Sequence, residues 1–109
     1  MSGQGNSRVG RPPRKDYQAL YPGWPDVDVG VVGDVHDRRL LQLICNVRSA
    51  YEAGLASGEV SSLRDVARKV GTSHAVLNKL LSGVGWPSSE TVSRLEVVFG
   101  KVLWPGLDE

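Results

Sequence analysis

Apolar residues recur every three or four positions from residue 37 onward, a spacing typical of amphipathic helices that share one core. The first such segment predicts a helix over 37–55 that stops near Gly54 or Gly58. Its inward face is expected to comprise Leu40, Leu41, Leu43, Ile44, Val47 and Tyr51. This pattern predicts an all-α fold.

Three shorter helices are predicted after residue 60. Each begins at a serine or threonine, which caps helix N-termini, and ends at a glycine, which readily adopts the left-handed conformation found after helices. The expected limits are Ser61 or Ser62 to Gly71, Thr72 or Ser73 to Gly83, and Ser88 or Ser89 to Gly100. The expected inward residues are Leu63, Val66, Ala67 and Val70, then Val76, Leu77 and Leu80 with Leu81 as a further candidate, then Val92, Leu95, Val98 and Phe99.

The N-terminal third lacks this periodicity. Residues 1–35 are rich in Gly, Pro and Asp, which predicts an irregular, flexible arm. Large apolar residues in 17–32 indicate that part of this segment packs on the domain. We therefore expect an arm over 1–35, basic and then acidic and aromatic, a helical domain over 36–104 and a C-terminal tail over 105–109.

Composition limits the class of protein. A chain of 109 residues suits one domain, and its formal net charge of +1 neither requires nor excludes a polyanionic partner. Cys45 cannot form an internal disulfide and is expected to be a buried, reduced thiol. With no apolar stretch of membrane-spanning length and no secretory leader, we expect a soluble cytoplasmic protein that is nucleoid-associated when it binds DNA.

The segment 62–83 carries the functional prediction. Two short helices joined by three or four residues must cross steeply, and this requires a small residue at the crossing and a tight turn. Ala67 and Gly71 meet these needs. The start of the second helix then projects outward with short polar side chains, which suits the DNA major groove.

These residues resemble the Cro-type, lambda-repressor-like helix-turn-helix regulators. The likeness covers 62–99 and includes the link Gly-x-x-x-Pro-Ser-x-Glu-Thr over 83–91. The matching positions are Leu63, Val66, Ala67, Gly71, Ser73, Leu77, Leu80, Gly83, Pro87, Glu90, Val92 and Leu95. The chain departs from many relatives at Leu81, where they have a polar or acidic residue, and in the acidic, aromatic-bearing segment before residue 37.

The resemblance implies a lambda-repressor-like bundle of four to five helices whose recognition helix spans 73–82. It assigns base reading to His74, Ala75, Asn78 and Lys79. The candidates for phosphate contacts are Arg68, Lys69, Ser73, Ser82 and Arg94. For Ser73, helix capping is the favoured role.

The basic arm offers a second DNA contact. Residues 8–15, Arg-Val-Gly-Arg-Pro-Pro-Arg-Lys, are similar to the core of an AT-hook, which lies extended in a narrow minor groove. The alternative is a flexible tail that adds only non-specific phosphate attraction. Either role falls to Arg8, Arg11, Arg14 and Lys15.

The remaining aromatic and titratable residues have structural interpretations. Trp24, Trp86 and Trp104 each adjoin a proline and are expected to pack, with Trp86 and Trp104 closing opposite ends of the last helix. His36 lies near Asp34 and Asp37, where a helix-capping segment is favoured over a metal site. No catalytic constellation, metal ligand set or phosphate loop is evident, so we expect neither enzymatic activity nor a cofactor or metal.

The sequence thus predicts a transcriptional regulator, in the manner of repressors from bacteria and phages, that binds double-stranded DNA as a homodimer. The alternative is a protein-interaction module or antitoxin-like partner that binds through the arm over 16–37, where Tyr and Trp lie among acidic residues. Finding 17–32 packed on the domain would weaken this alternative.

Overall fold

The computed structural model describes residues 15–106, and within this part it contains five α-helices and no β-strand. The elements in order are α1 (Tyr17–Leu20), a 3-10 helix (Val29–Val31), α2 (Val35–Ser57), α3 (Leu63–Val70), α4 (His74–Leu81) and α5 (Ser89–Phe99). The predicted all-α bundle is confirmed. None of these helices has the length and apolar character needed to cross a membrane.

The longest helix, α2, forms the centre of the core. Its N-cap is Asp34, whose carboxylate accepts a hydrogen bond from the Asp37 backbone amide at 2.9 Å, so the helix begins earlier than predicted. It continues past Gly54 and ends at Gly58, which has a left-handed φ of +83°. The expected inward residues all lie in the core, with Tyr51 partly buried.

Cys45 corrects one expectation for α2. Its side chain is exposed rather than buried. It lies on the same outward stripe as Ser49 and Glu52, one and two turns further along the helix. Cys45 was predicted to be buried because its sequence neighbours are apolar, but its own position on the helix faces solvent.

The short helix α3 packs on α4 and α5, and α4 packs on α2 and α3. The Ser62 hydroxyl caps α3 by accepting from the Asp65 amide at 3.0 Å, and the Ser73 hydroxyl caps α4 by accepting from the Val76 amide at 3.2 Å. Gly71 ends α3 with a φ of +84°. Residues 71–73 alone separate the two helices, so the predicted helix–turn–helix arrangement is confirmed.

The chain after α5 turns back along the bundle. Gly100 ends α5, and Leu103 is buried while the Asn46 side chain donates to its carbonyl at 2.9 Å. The rings of Trp86 and Trp104 stack on one another with centroids 6.3 Å apart, so they do not close opposite ends of α5. The return of the tail is the physical reason, because it brings Trp104 back to Trp86, three residues before α5 begins.

Part of the expected flexible arm belongs to the folded core. Tyr17, Trp24 and Val32 are buried, which confirms that part of 17–32 packs on the domain. The bundle has an apolar surface that these side chains cover, so the folded unit extends before the boundary drawn at residue 35. Residues 1–14 and 107–109, with the rest of the expected arm and tail, lie outside the described residues.

A buried carboxylate holds this N-terminal segment against α2. Asp37 is only 2% exposed, and it accepts hydrogen bonds from the Lys15 ammonium at 2.7 Å and the Tyr21 hydroxyl at 2.6 Å. The hydrogen bond to Asp37 raises the pKa of Lys15 and also that of Tyr21. Because a buried charge needs such partners, these two bonds fix the start of the described chain on the helix bundle.

Candidate nucleic-acid interface

One face of α4 is accessible to solvent along the length of the helix. Ala75, Asn78 and Lys79 are exposed and His74 is partly exposed, so the residues predicted to read bases share one accessible region. The Asn78 amide nitrogen lies 3.3 Å from His74 Nδ1, one helical turn away. This pair presents ring and amide groups next to one another on the surface of the helix.

The opposite face of α4 is anchored in the core. Leu77 and Leu80 are each 2% exposed and pack within the apolar cluster. They face a closed interior, where the cavity between α2, α3, α4 and α5 has a volume of only about 10 Å³. Such a cavity leaves no room for a small-molecule effector, so this face of α4 serves to hold the helix.

Val76 corrects the predicted inward face and adds to the outer one. It was expected to be buried but is 39% exposed, because α4 directs Leu77 and Leu80 to the core and leaves residue 76 at the edge. Sequence reasoning missed it as a candidate contact. An exposed branched aliphatic side chain beside polar base-reading candidates can contact the methyl group of thymine.

The predicted phosphate-binding residues on α3 already have intramolecular partners. Arg68 forms an ion pair with Asp65, and Lys69 donates to the Glu59 carbonyl at 2.7 Å. Asp65 also accepts from the Ser61 amide at 3.0 Å. That backbone hydrogen bond, followed by the Arg68 and Lys69 side chains, lowers the pKa of Asp65 despite the opposing effect of desolvation.

Two cations of the helix pair differ from Arg68 and Lys69 in having no intramolecular partner among the described residues. Arg64 on α3 and Lys79 on α4 are exposed, and neither side chain has a hydrogen bond or ion pair within residues 15–106. Arg64 was not among the predicted site residues. Its basic charge in the sequence was the only indication that could have identified it.

Arg94 has a specific position between α3 and α5. Its Nη1 donates to the Val70 carbonyl at 3.2 Å, and its Nη2 donates to Glu90 Oε2 at 2.7 Å. A Cβ added at Gly71 would lie 3.0 Å from Arg94 Nη1, so the guanidinium lies close against the turn. This predicted phosphate ligand therefore also fixes the turn that leads into α4.

The two serines at the ends of α4 differ in their use. The Ser73 hydroxyl accepts from the Val76 amide, which places it at the helix N-terminus as its cap. Ser82 is exposed and follows the helix, and its backbone amide donates to the Asn78 carbonyl at 2.9 Å. Ser73 lies at the helix N-terminus, where free amides favour a phosphate, whereas Ser82 lies at the C-terminal end and offers a phosphate only its own hydroxyl.

The structure describes only the end of the basic arm. Arg8, Arg11 and Arg14 lie outside the described residues. The Lys15 ammonium is bound to Asp37 and lies 5.6 Å from the centre of the Tyr17 ring. Lys15 thus differs from the rest of the predicted arm, because its charge is used to attach the segment to the domain.

A short capped helix, a tight turn at Gly71 and a second capped helix with an exposed polar face together define a helix-turn-helix DNA-binding protein. The helix-turn-helix family model matches residues 62–102, and this segment belongs to the Cro-type, lambda-repressor-like helix-turn-helix family. No curated protein and no solved structure matches the chain. Residues 62–102 thus carry the helix-turn-helix unit of DNA-binding regulators.

Proposed function

We propose that the protein binds a specific sequence of double-stranded DNA with α4 in the major groove. The observation that carries this proposal is the division of α4 into two faces. Asn78 and Lys79 are exposed on one face, whereas Leu77 and Leu80 are buried on the other. A helix held by its apolar face can present the opposite side chains to base edges without losing its position.

The exposed side chains suggest which bases are read. The Asn78 amide can pair with the N6 and N7 groups of adenine, and the Lys79 ammonium can donate to O6 and N7 of guanine. His74 can donate to an acceptor on a purine edge. Ala75 and Val76, whose side chains are both exposed, can contact a thymine methyl group. We infer a mixed site containing both types of base pair.

Phosphate contacts are proposed for residues at the margins of this surface. Arg68, Lys69, Ser73 and Ser82 lie on α3 and at the two ends of α4, and they would set the register of the protein on the duplex. Arg68 and Lys69 would share their donors between DNA and their present partners. For Arg94 we propose the intramolecular role at the turn instead.

The arm and a second copy of the chain would supply additional affinity. A single module contacts a small area of DNA, and tight specific binding usually requires more. We propose that Arg8, Arg11 and Arg14 add phosphate or minor-groove contacts, and that two copies bind a palindromic or repeated site. A bound dimer that blocks transcription, and thus acts as a repressor, is the regulatory mode we propose.

The alternative function, protein binding through 16–37, has lost its main support. The aromatic residues that suggested a protein-binding surface are part of the core, since Tyr17 is 7% exposed and Trp24 is 2% exposed. Tyr21 is partly buried and bonded to Asp37. What remains exposed in this segment is mainly scattered aliphatic and acidic side chains, which do not favour a partner of particular chemistry.

Selection from a pool of random duplexes tests the proposed function. Wild type should enrich a defined motif, and Asn78→Ala and Lys79→Ala should each weaken binding by about 1–3 kcal/mol and relax the motif at separate positions. Lys101→Ala is the matched control, because Lys101 is likewise an exposed lysine but follows α5 and is not part of the recognition helix. Enrichment of no motif by wild type would overturn the proposal.

Deletion of residues 1–14 tests the arm separately. This variant keeps Lys15 and its bond to Asp37. We expect it to select the same motif with lower affinity and a smaller dependence of binding on salt. An unchanged salt dependence would exclude phosphate contacts from the arm.

A further inference from the structure

The C-terminal end of α4 is held by two side chains that lie outside the family match. The Trp24 indole Nε1 donates to the Gly83 carbonyl at 2.8 Å, and Arg48 Nη2 donates to the Leu81 carbonyl at 2.9 Å. Carbonyls at the end of a helix have no partner within the helix. Arg48 therefore binds the last carbonyl of the recognition helix, and Trp24 binds the turn two residues after it.

Both donors are fixed by further contacts. The Trp24 ring stacks on Tyr17 with centroids 5.0 Å apart and contacts Tyr21 at 5.4 Å. Arg48 Nη1 forms an ion pair with Asp26 at 2.6 Å, two residues after Trp24. The N-terminal segment and α2 thus hold the end of α4 together.

Gly83 is adapted to this contact. It has a left-handed φ of +73°, and a Cβ added there would overlap the Trp24 indole nitrogen and lie 2.8 Å from Cδ1. Only glycine allows the ring to approach the backbone this closely. The end of α4 and the indole ring are therefore complementary in shape as well as hydrogen-bonded.

We propose that Trp24, Asp26 and Arg48 form a helix clamp that sets the position of α4 for DNA binding. Trp24 and Arg48 are positioning residues, since they act through the backbone of α4. The inference rests on the proposed role of α4 in reading bases. Base readout needs side chains held within about 0.5 Å of the productive geometry, so freedom at one end of α4 weakens specific binding.

Arg48→Gln and Trp24→Phe test the helix clamp. Both remove a donor to α4, and Trp24→Phe keeps an aromatic ring in the core. Arg38→Gln is the matched control, because Arg38 also lies on α2 and donates to two carbonyls, those of Val32 and Gly33, without contacting α4. Unfolding is measured for each variant, so that binding is compared between folded proteins.

Binding to the duplex selected by wild type is the first readout. We expect Arg48→Gln and Trp24→Phe to raise Kd about tenfold, and Arg38→Gln to change it less than about twofold. The dependence of Kd on salt should stay unchanged in all of them, because no phosphate contact is removed. Folded clamp variants with wild-type Kd, or an equal loss in Arg38→Gln, would overturn the proposal.

Hydrogen exchange of the free protein is the second readout and needs no DNA. The amides of Ser82, Gly83 and Val84 donate to carbonyls of Asn78, Leu80 and Lys79. They should exchange faster in the two clamp variants than in wild type, whereas amides within α5 should not. Unchanged exchange at 82–84 would overturn the helix clamp even if wild type selected no duplex and the proposed function failed.

Discussion

The Arg94 guanidinium donates to the carbonyl of Val70 at 3.2 Å, and so α5 binds the last residue of α3. This bond lies directly before Gly71, at the turn between the two helices of the DNA-binding unit. Since the helix clamp holds the other end of α4, the recognition helix is restrained on both sides by residues that do not project from it.

Replacing Arg94 with glutamine distinguishes positioning from phosphate binding. We expect Arg94→Gln to lower the free energy of unfolding by at most about 1 kcal/mol, because the bond is partly exposed. The slope of log Kd against log salt should stay as in wild type. Arg68→Gln is the comparison, and its slope should fall by about 1 if Arg68 contacts phosphate. A similar fall in Arg94→Gln would assign Arg94 to the phosphate contacts.

The bond between Tyr21 and Asp37 predicts a second effect. Tyr21→Phe leaves a buried carboxylate with one fewer donor, so it should lower the free energy of unfolding at neutral pH. Tyr51→Phe is the control, because Tyr51 is also partly buried and its hydroxyl has no hydrogen bond within the described residues. Denaturant titration of both variants checks this, and equal losses would contradict it.

Alkaline pH should remove the same stabilisation. The hydrogen bond to Asp37 raises the pKa of Tyr21 above its ordinary value of 10.0. Because the pKa of Tyr21 is raised in the folded protein, the hydrogen bond contributes its full stabilisation of the folded state below pH 10.0. That stabilisation is lost as the pH rises through the folded-state pKa of Tyr21. The difference in stability between wild type and Tyr21→Phe should therefore shrink with rising pH. A constant difference would indicate that the hydroxyl acts by packing alone.

Local sequence patterns predicted the helices well, because their causes are local. A serine hydroxyl caps the amide three residues later at both Ser62 and Ser73, and Gly71 ends a helix through its own backbone freedom. The limits of α3 and α4, and the exposure of Asn78 and Lys79, follow from these caps and from the helical period. The residues proposed to read bases thus lie where the sequence predicts them.

The contacts that hold the interface could not be predicted in this way, because they join distant parts of the chain. Trp24 and Gly83 are separated by 59 positions, and no periodicity relates an indole in a proline-rich segment to a carbonyl after α4. Composition likewise predicted an irregular arm over 1–35, because the content of Gly, Pro and Asp does not reveal contacts with distant parts of the chain. The apolar period also placed Val76 inside, since it cannot locate the edge of a buried stripe.

Acid pH should weaken the start of α3 through Asp65. The Ser61 amide, and then Arg68 and Lys69, lower the pKa of Asp65 below its ordinary value of 3.8. Because the pKa of Asp65 is lowered in the folded protein, its charged carboxylate contributes its full stabilisation of the folded state above pH 3.8. That stabilisation is lost as the pH falls through the folded-state pKa of Asp65. Asp65→Asn keeps an acceptor for Ser61 but no charge.

We therefore expect the Tm of Asp65→Asn to lie below that of wild type at neutral pH, with the gap closing as the pH falls below 3.8 and through the folded-state pKa. Glu52→Gln is the control, because Glu52 is exposed on α2 and has no hydrogen bond or ion pair within the described residues. Thermal unfolding followed by circular dichroism measures both gaps. A gap for Asp65→Asn that persists in acid would exclude the charge as its cause.

Gly83 and Gly58 provide a matched test of the contact with Trp24. Both have a positive φ, +73° and +83°, but a Cβ at Gly58 would meet nothing within 4 Å, whereas one at Gly83 would overlap the indole. Gly58→Ala should cost about 1–2 kcal/mol, the penalty of the left-handed conformation. Gly83→Ala should lower the free energy of unfolding by the same conformational penalty and by about 1–3 kcal/mol more, because the added methyl group overlaps the indole.

Denaturant unfolding of the two alanine variants measures the difference between these costs. The methyl group added by Gly83→Ala must displace the indole. In a Trp24→Phe background, Gly83→Ala should therefore lower the free energy of unfolding by less than it does in wild type, because the smaller ring leaves space for the methyl group. Gly58→Ala should cost the same in either background, since Gly58 does not contact Trp24. An equal loss in the free energy of unfolding for the two Gly→Ala variants would contradict this prediction. It would mean that the backbone at residue 83 moves away from the Trp24 ring at no cost, so that close packing on the ring does not fix the end of α4.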